Sequence, residues 1–339
     1  MRTNGMSDPD PTGSVDALDD LPDSPVVSVV ITTYDEEIYD DFAACVKSVL
    51  EQTYAHIEVV IVTETTHANS RVSKEFAEEP TVTHVHSERS LNLASARNLG
   101  AKHASGDVYA FIDDDAVADT EWIARIVDVY RNEDALAVGG KLTAKWPAEE
   151  PLYLPAEFYW LVGVTHKGFR EDAGPVRNTF GANISFRADV FENLEGFNEQ
   201  FGKDHGHNLQ GEETELAARM YKRYSKRLYY RPDALVEHRV YLQQLDWGWL
   251  FNRAFWQGFT KGRMDRTIPE SMGAEKNFVK VLLTRSVPAY IYEAKKKRSA
   301  RPLIITVSML ALTMTVGLGY LSERISNLTN ETSVGTRSW

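Results

Sequence analysis

The chain has 339 residues, 43% of them hydrophobic, which is enough for one large domain or two small ones with a sizeable core. Its net charge is −12, with 49 acidic against 37 basic residues. That balance excludes nucleic acid as the main partner, because phosphate binding needs a basic face, and it admits an anionic ligand only where a metal or a local basic cluster offsets the field.

Residues 1–25 carry several Asp and Pro and no apolar stretch, so they read as a disordered acidic tail and not as a signal peptide. "VVSVVITTY" (26–34) is a β-branched run with no polar alternation until its end, the pattern of a strand buried on both faces of a parallel sheet. Phe42, Cys45, Val46, Val49 and Leu50 then follow the spacing of an amphipathic helix. Cys45, the single cysteine, allows no internal disulfide, fits a reducing compartment and reads as inert packing on that helix. "IEVVIVT" (57–63) is a second buried strand. A helix over 71–78, a third strand over 82–85, a helix over 92–104 stopped by Gly106, and a fourth strand over 108–112 follow. This alternation predicts a doubly wound, mostly parallel α/β sheet, in which ligands sit beyond the carboxyl ends of the strands.

The fourth strand ends in "IDDD", with Asp113, Asp114 and Asp115 in succession. Adjacent residues in an extended segment face opposite sides, so Asp113 and Asp115 can share one ligand. Two hard carboxylates suit Mg²⁺ or Mn²⁺, which in turn holds a diphosphate. The alternative is a solvated acidic turn; the apolar strand ahead of it and the β/α context favour the metal. No glycine-rich dinucleotide loop follows the first strand, where "TTYDEE" stands, and no P-loop sequence occurs.

The second half is less regular. "FGANISFRADVF" (180–191) reads as a strand leading into a helix, and "GEETELAARMYKRY" (211–224) as a helix with acids in its first turn, where the macrodipole favours them. Residues 246–259 are rich in Trp and Phe, suited to sugar stacking, a membrane interface or plain core packing. The uncharged 19-residue run 303–321 just reaches the length of a membrane span. The basic run from Lys295 to Arg301 precedes it, which orients the catalytic part to the cytoplasm. Two acceptor tripeptides, "NLT" (327–329) and "NET" (330–332), then fall on the far side.

Six segments, "VSVVITTYDEE", "SVLEQTY", "IEVVIVTE", "ASARNLGAKHASGDVYAFIDDD", "FGANISFR" and "GEETELAARMYK", occur in the order found in glycosyltransferase family 2, which the chain resembles over about 26–238. "FNRAFWQGFTKG" adds a likeness to archaeal enzymes that build lipid-linked glycans for surface-protein N-glycosylation.

The resemblance implies a GT-A fold, an inverting transfer from a nucleotide-diphosphate sugar (UDP- or GDP-linked), a lipid-linked saccharide acceptor, and Mg²⁺ or Mn²⁺ on the DxD motif. By position it implies that Thr32, Tyr34 and Glu36 hold the nucleoside. Glu64 stands where the family usually has Asp, so base identity stays open. Arg97 falls near the nucleotide. Asp113 and Asp115 match the DxD, with Asp115 the closer metal ligand and Asp114 between them at the nucleotide. Glu213 matches the general base, with Glu212 as its fallback; a helix points the two about 100° apart, so one of them faces the sugar. His238 is implied as a further metal or phosphate contact, and Gly181 and Asn183 as lining the sugar pocket.

The expected organisation is a GT-A domain over 26–240, split into a nucleotide half (26–116) and an acceptor half (117–240). A helical extension (241–300), a membrane span (301–322) and a tail (323–339) complete it. The competing readings are a dolichyl-phosphate monosaccharide or extracellular polysaccharide transferase, and a non-catalytic carbohydrate-binding protein with a degenerate transferase fold.

Overall fold

The computed structural model describes residues 18, 20–34, 37–64, 71–72, 74–76, 78–201, 210–267 and 273–334. Among them, nine strands form one sheet. The strands are β1 (Val27–Thr33), β2 (Ile57–Thr63), β3 (Val82–His86), β4 (Val108–Asp113), β5 (Ala116–Ala118), β6 (Ala137–Lys145), β7 (Gly174–Val176), β8 (Ile184–Arg187) and β9 (Leu228–Arg239). Their order is β3-β2-β1-β4-β8-β6-β9-β5, with β7 beside β9. The first four strands are parallel, as the continuous apolar runs of β1, β2 and β4 predict, with the more polar β3 at the edge. β8 enters antiparallel between β4 and β6, and β9 returns parallel to β6.

Each central strand serves two cores. Val27, Val29, Ile31, Val59, Ile61, Val108, Ala110 and Ile112 face the helices Tyr39–Leu50 and Trp122–Asn132. Val30, Val60, Tyr109 and Phe111 face the other layer, with Ala94, Val190, Phe191, Leu216 and Met220. This two-sided burial is why the strands read as unbroken hydrophobic runs and not as alternating ones. A third core joins Leu154, Phe158, Leu161 and Val240 to Leu250, Ala254, Leu282, Met309 and Leu312, so the C-terminal helices dock on the sandwich.

Two boundaries move. Leu18 and Leu21 pack against the two sheet cores, and the Arg131 side chain donates to the Asp23 carbonyl at 2.6 Å, so packing begins before Val26. Residues 1–17 and 19 of the expected acidic tail lie outside the described residues. The apolar C-terminal run belongs to one continuous helix, Arg301–Val334, which passes straight through the expected end at Leu321.

Candidate active site

The register of the parallel strands brings the candidate residues together. Thr32 pairs with Val62 on one side and Asp113 on the other, so the ends of β1, β2 and β4 open on one crevice. Tyr34 follows at its rim, half exposed. The Glu64 carboxylate accepts the Leu91 backbone N–H at 2.9 Å, which fixes it between β2 and the following helix. Glu36 lies outside the described residues.

Arg97 is the centre of the site. It sits on the helix Leu93–Lys102, whose first turn is capped by the Asn92 side chain accepting the Ser95 N–H at 2.8 Å. Its guanidinium is buried and donates to Asp113 at 2.5 Å and to Glu212 at 2.8 Å. Gly181 leaves room for it: a Cβ there would stand 2.6 Å from the Arg97 Nη1. A fixed fork of donors suits two carboxylates held in set directions. Removing the cation leaves both carboxylates facing each other in a poorly solvated site. Arg97→Met is therefore expected to destabilise the fold by about 3 kcal/mol, read as a drop in the urea midpoint at constant slope. An unchanged midpoint would mean that the bridge contributes nothing.

Beyond Asp113, the Asp115 carboxylate lies 3.3 Å from the His238 Nε2, and His238 is brought there by the pairing of β5 with β9. One ligand atom each from Asp113, Asp115 and His238 all lie within 4.8 Å of one another. Burial raises the Asp115 carboxyl, and His238 beside it partly reverses the rise. The two hard carboxylates suit a divalent cation such as Mg²⁺ or Mn²⁺, with the His238 imidazole as a softer third donor.

Asp114 departs from its expected place at the nucleotide. Its Oδ2 is buried, it lies beside Thr33 and Cys45, and burial with the charge of Asp115 holds its carboxyl well above the usual range. β4 ends at Asp113, and it is the turn over Asp114 and Asp115, not strand alternation, that sets Asp113 and Asp115 together with Asp114 inward. Cys45 packs behind the triplet, wholly buried, its thiol donating to the Asp113 carbonyl at 3.3 Å; burial pushes that thiol up and keeps it unreactive.

The acids on the other wall come from the helix Glu212–Tyr224. Gly211 opens it at φ +108°, and a Cβ there would stand 2.6 Å from Met264, so glycine meets both the conformation and the space. Glu212 is fully engaged: one oxygen takes the Arg97 bond and the other accepts the Gly211 N–H at 3.0 Å. The Glu213 carboxylate accepts from the Thr214 hydroxyl at 3.5 Å and from its own backbone N–H. Burial and the neighbouring Glu212 push its carboxyl up to about 8, against the pull of Arg97 and Arg253. Of the two acids, Glu213 is the one with a carboxylate left to take a proton.

Two further groups were not singled out in the sequence. Arg253, on the aromatic helix Trp247–Thr267, donates to the Leu161 carbonyl at 3.3 Å; burial pulls it down to about 10, opposed by Glu212, Glu213 and Asp113 nearby. Its signal was a lone cation inside an aromatic stretch. Tyr241 donates to Asp41 at 3.0 Å beside the aspartate triplet, and Arg239 also pairs with Asp41. Asn183, expected in the sugar pocket, is instead a latch. It is fully buried, accepts from Trp122 at 2.8 Å and donates to the carbonyls of Ala234 and Lys141 at 2.9 and 3.2 Å.

With this geometry in hand, the comparisons with known proteins are specific. The profile of the family described as "Glycosyl transferase family 2" matches residues 28–195. A Haloferax volcanii protein named glucosyl-dolichyl phosphate glucuronosyltransferase is 36% identical over 315 residues, covering 91% of this chain and 99% of its own. The chain belongs to glycosyltransferase family 2. It is also similar to the succinoglycan biosynthesis protein ExoM of Rhizobium meliloti, 28% identical over 185 residues, covering 54% of this chain and 56% of that protein. Among solved structures, a Pyrobaculum calidifontis mannosyltransferase in complex with GDP-Man and Mn²⁺ superposes with a TM-score of 0.59. It is 19% identical, with 88% of this chain and 87% of that one covered. GalNAc-T7 with UDP, GalNAc and Mn²⁺ gives 0.51 at 17% identity, with coverages of 76% and 54%. At these identities the two structures establish a shared fold. The family 2 transferase thus has the expected GT-A sandwich with an Asp–Asp–His group at its strand ends.

Proposed function

We propose that this family 2 glycosyltransferase moves a glycosyl residue, a uronosyl one as in its Haloferax relative, from a nucleotide-diphosphate sugar to a dolichol-type lipid-linked saccharide. The product is a lipid-linked glycan of the kind used for cell-surface protein glycosylation. The observation that carries this reading is the placing of Asp113, Asp115 and His238 across the crevice from Glu213, in a chain alignable with that relative over nearly its whole length.

In this reading Thr32, Tyr34, Glu36 and Glu64 border the nucleoside, and Asp113, Asp115 and His238 hold Mg²⁺ or Mn²⁺. When bound, the cation neutralises charge gathering on the departing diphosphate. Arg97 keeps Asp113 turned toward the donor and Glu212 away from the acceptor. Glu213 takes the proton from the acceptor hydroxyl as that oxygen attacks the sugar carbon from the face opposite the diphosphate, which inverts the anomeric centre. Arg253, on the same side, supports the charged form of Glu213. The enzyme is attached to the cell membrane through its C-terminal helix, with the crevice on the cytoplasmic side where nucleotide sugars are made.

Incubation of the purified enzyme with Mn²⁺, glucosyl dolichyl phosphate and, in separate reactions, UDP-glucuronate, UDP-glucose and GDP-mannose tests the assignment. A disaccharide on the lipid with UDP-glucuronate is expected; a product with GDP-mannose alone would replace both the base and the sugar.

A pH dependence follows from Glu213. A carboxyl raised to about 8 is protonated at lower pH and cannot accept a proton. In the free enzyme kcat/KM should therefore climb with pH and level off above about 8. A profile flat between pH 6 and about 9 would remove Glu213 from that role.

A further inference from the structure

The sequence places a span at 303–321, and among the described residues one helix, Arg301–Ser326, is long and apolar enough to cross a membrane. Length and composition fit two orientations, across a bilayer or along its surface. The packing separates them.

The inner face of this helix runs along the aromatic helix. Met309 and Leu312 share a core with Leu250 and Ala254. Further on, a Cβ at Gly258 would stand 1.9 Å from the Val316 carbonyl oxygen, and one at Gly319 would stand 1.9 Å from that of Phe255, so the backbones touch. At the far end Tyr320 donates to Asp265 at 2.8 Å, and Arg266 stands 3.6 Å from Glu323. Another flank of the aromatic helix faces the active site: Gln257 donates to Gln210 at 2.8 Å, Met264 abuts Gly211, and Arg253 lies near the acids. A single helix, about 10 Å wide, therefore separates the C-terminal helix from the crevice along its length. A hydrocarbon layer about 30 Å thick around that helix would have to occupy the volume of the catalytic domain.

The outer face has the opposite character. Leu303, Val307, Leu310, Met314, Leu318 and Leu321 repeat at spacings of three and four and are all exposed. They form an apolar stripe about 27 Å long at the helical rise of 1.5 Å per residue. A stripe of this extent marks an interaction surface. At its start stand Lys295, Lys296, Lys297, Arg298 and Arg301, all exposed, in a chain whose net charge is −12. Cations gathered at one end of an apolar stripe, on an otherwise acidic protein, complement an anionic lipid surface.

We propose that the helix Arg301–Ser326 lies in the plane of an anionic lipid surface, its outer stripe in the acyl boundary and the basic run among the headgroups, without crossing the bilayer. The inference rests on the membrane attachment proposed above and not on the sugar chemistry. It holds the crevice about one helix width above the headgroups, within reach of a lipid-linked acceptor.

Spin labels on Val307→Cys, Met314→Cys and Leu321→Cys of the full chain, bound to phosphatidylcholine–phosphatidylglycerol vesicles, report depth through relaxation by oxygen and by a nickel chelate. All three sites face outward, so the labels leave the packing intact, and buried Cys45 stays unlabelled. The expected result is one shallow depth, just below the phosphates, at all three. Met314 at the bilayer centre with the other two nearer opposite surfaces would overturn the in-plane orientation and leave attachment standing. Water-like relaxation at all three would overturn both. As a second reading, Lys295→Gln, Lys296→Gln and Lys297→Gln together should weaken vesicle binding by about fivefold per residue; unchanged binding would remove the anionic-lipid part of the proposal.

Discussion

Glu213→Gln is expected to lower turnover by about 10²- to 10⁴-fold, the usual range for loss of a general base. The amide keeps the size and planarity of the carboxyl and cannot accept the proton. Donor binding should change little, because the crevice proposed for the nucleotide lies at the ends of β1, β2 and β4 and not on this helix. The fold should also hold, since the Glu213 side chain accepts from the adjacent Thr214 hydroxyl and from its own backbone N–H, in the first turn of a helix whose core residues, Leu216 and Met220, are untouched. Glu212→Gln is the informative partner. It weakens the bond from Arg97 and is expected to lower stability more than catalysis. A crippled Glu212→Gln that folds normally, beside an active Glu213→Gln, would move the base by one residue.

Asp115→Ala is expected to remove metal-dependent turnover, by about 10²-fold or more, since cation stabilisation of a departing diphosphate amounts to several kcal/mol and each 1.4 kcal/mol is tenfold. The strand before it is unaffected, because Ile112 and its neighbours supply the packing. The variant should bind the donor equally with and without Mn²⁺, whereas the parent should bind it more tightly with the ion. Calorimetry in both conditions reads this directly, and near-parental turnover at saturating Mn²⁺ would detach Asp115 from the metal.

The first half of the fold was legible because doubly covered parallel strands have to be continuous apolar runs, and β1, β2 and β4 are. The second half was legible only in part: the strand and helix read over 180–191 and the helix read over 211–224 are present, whereas β6, β7 and β9 were not read. β6 contains Gly139 and Gly140, and β9 contains Pro232, residues that normally interrupt strands. Here the register of β6 and β9 shifts at Gly140, where a Cβ would stand 1.9 Å from the Ala234 carbonyl, and the irregularity is absorbed there.

The site followed the same division. Spacing alone put Asp113 and Asp115 together; the structure achieves this through a turn at Asp114 and Asp115, and the triplet does not by itself reveal that Asp114 is the member with a buried oxygen. Nothing local joins Arg97 to Glu212, 115 residues away. Nor does anything local join Arg253 to those acids, or Trp122 to Asn183; such pairs exist only through the packing of separate layers.

The central claim is that Asp113, Asp115 and His238 hold the divalent cation that meets the donor diphosphate. An anomalous-difference map at the manganese absorption edge, from crystals grown with Mn²⁺ and a nucleoside diphosphate, tests it most directly. One strong peak is expected among the Asp113, Asp115 and His238 side chains, in contact with the diphosphate. Manganese bound to the diphosphate but away from Asp115 and His238, or diphosphate seated in the crevice with no peak at all, would contradict it.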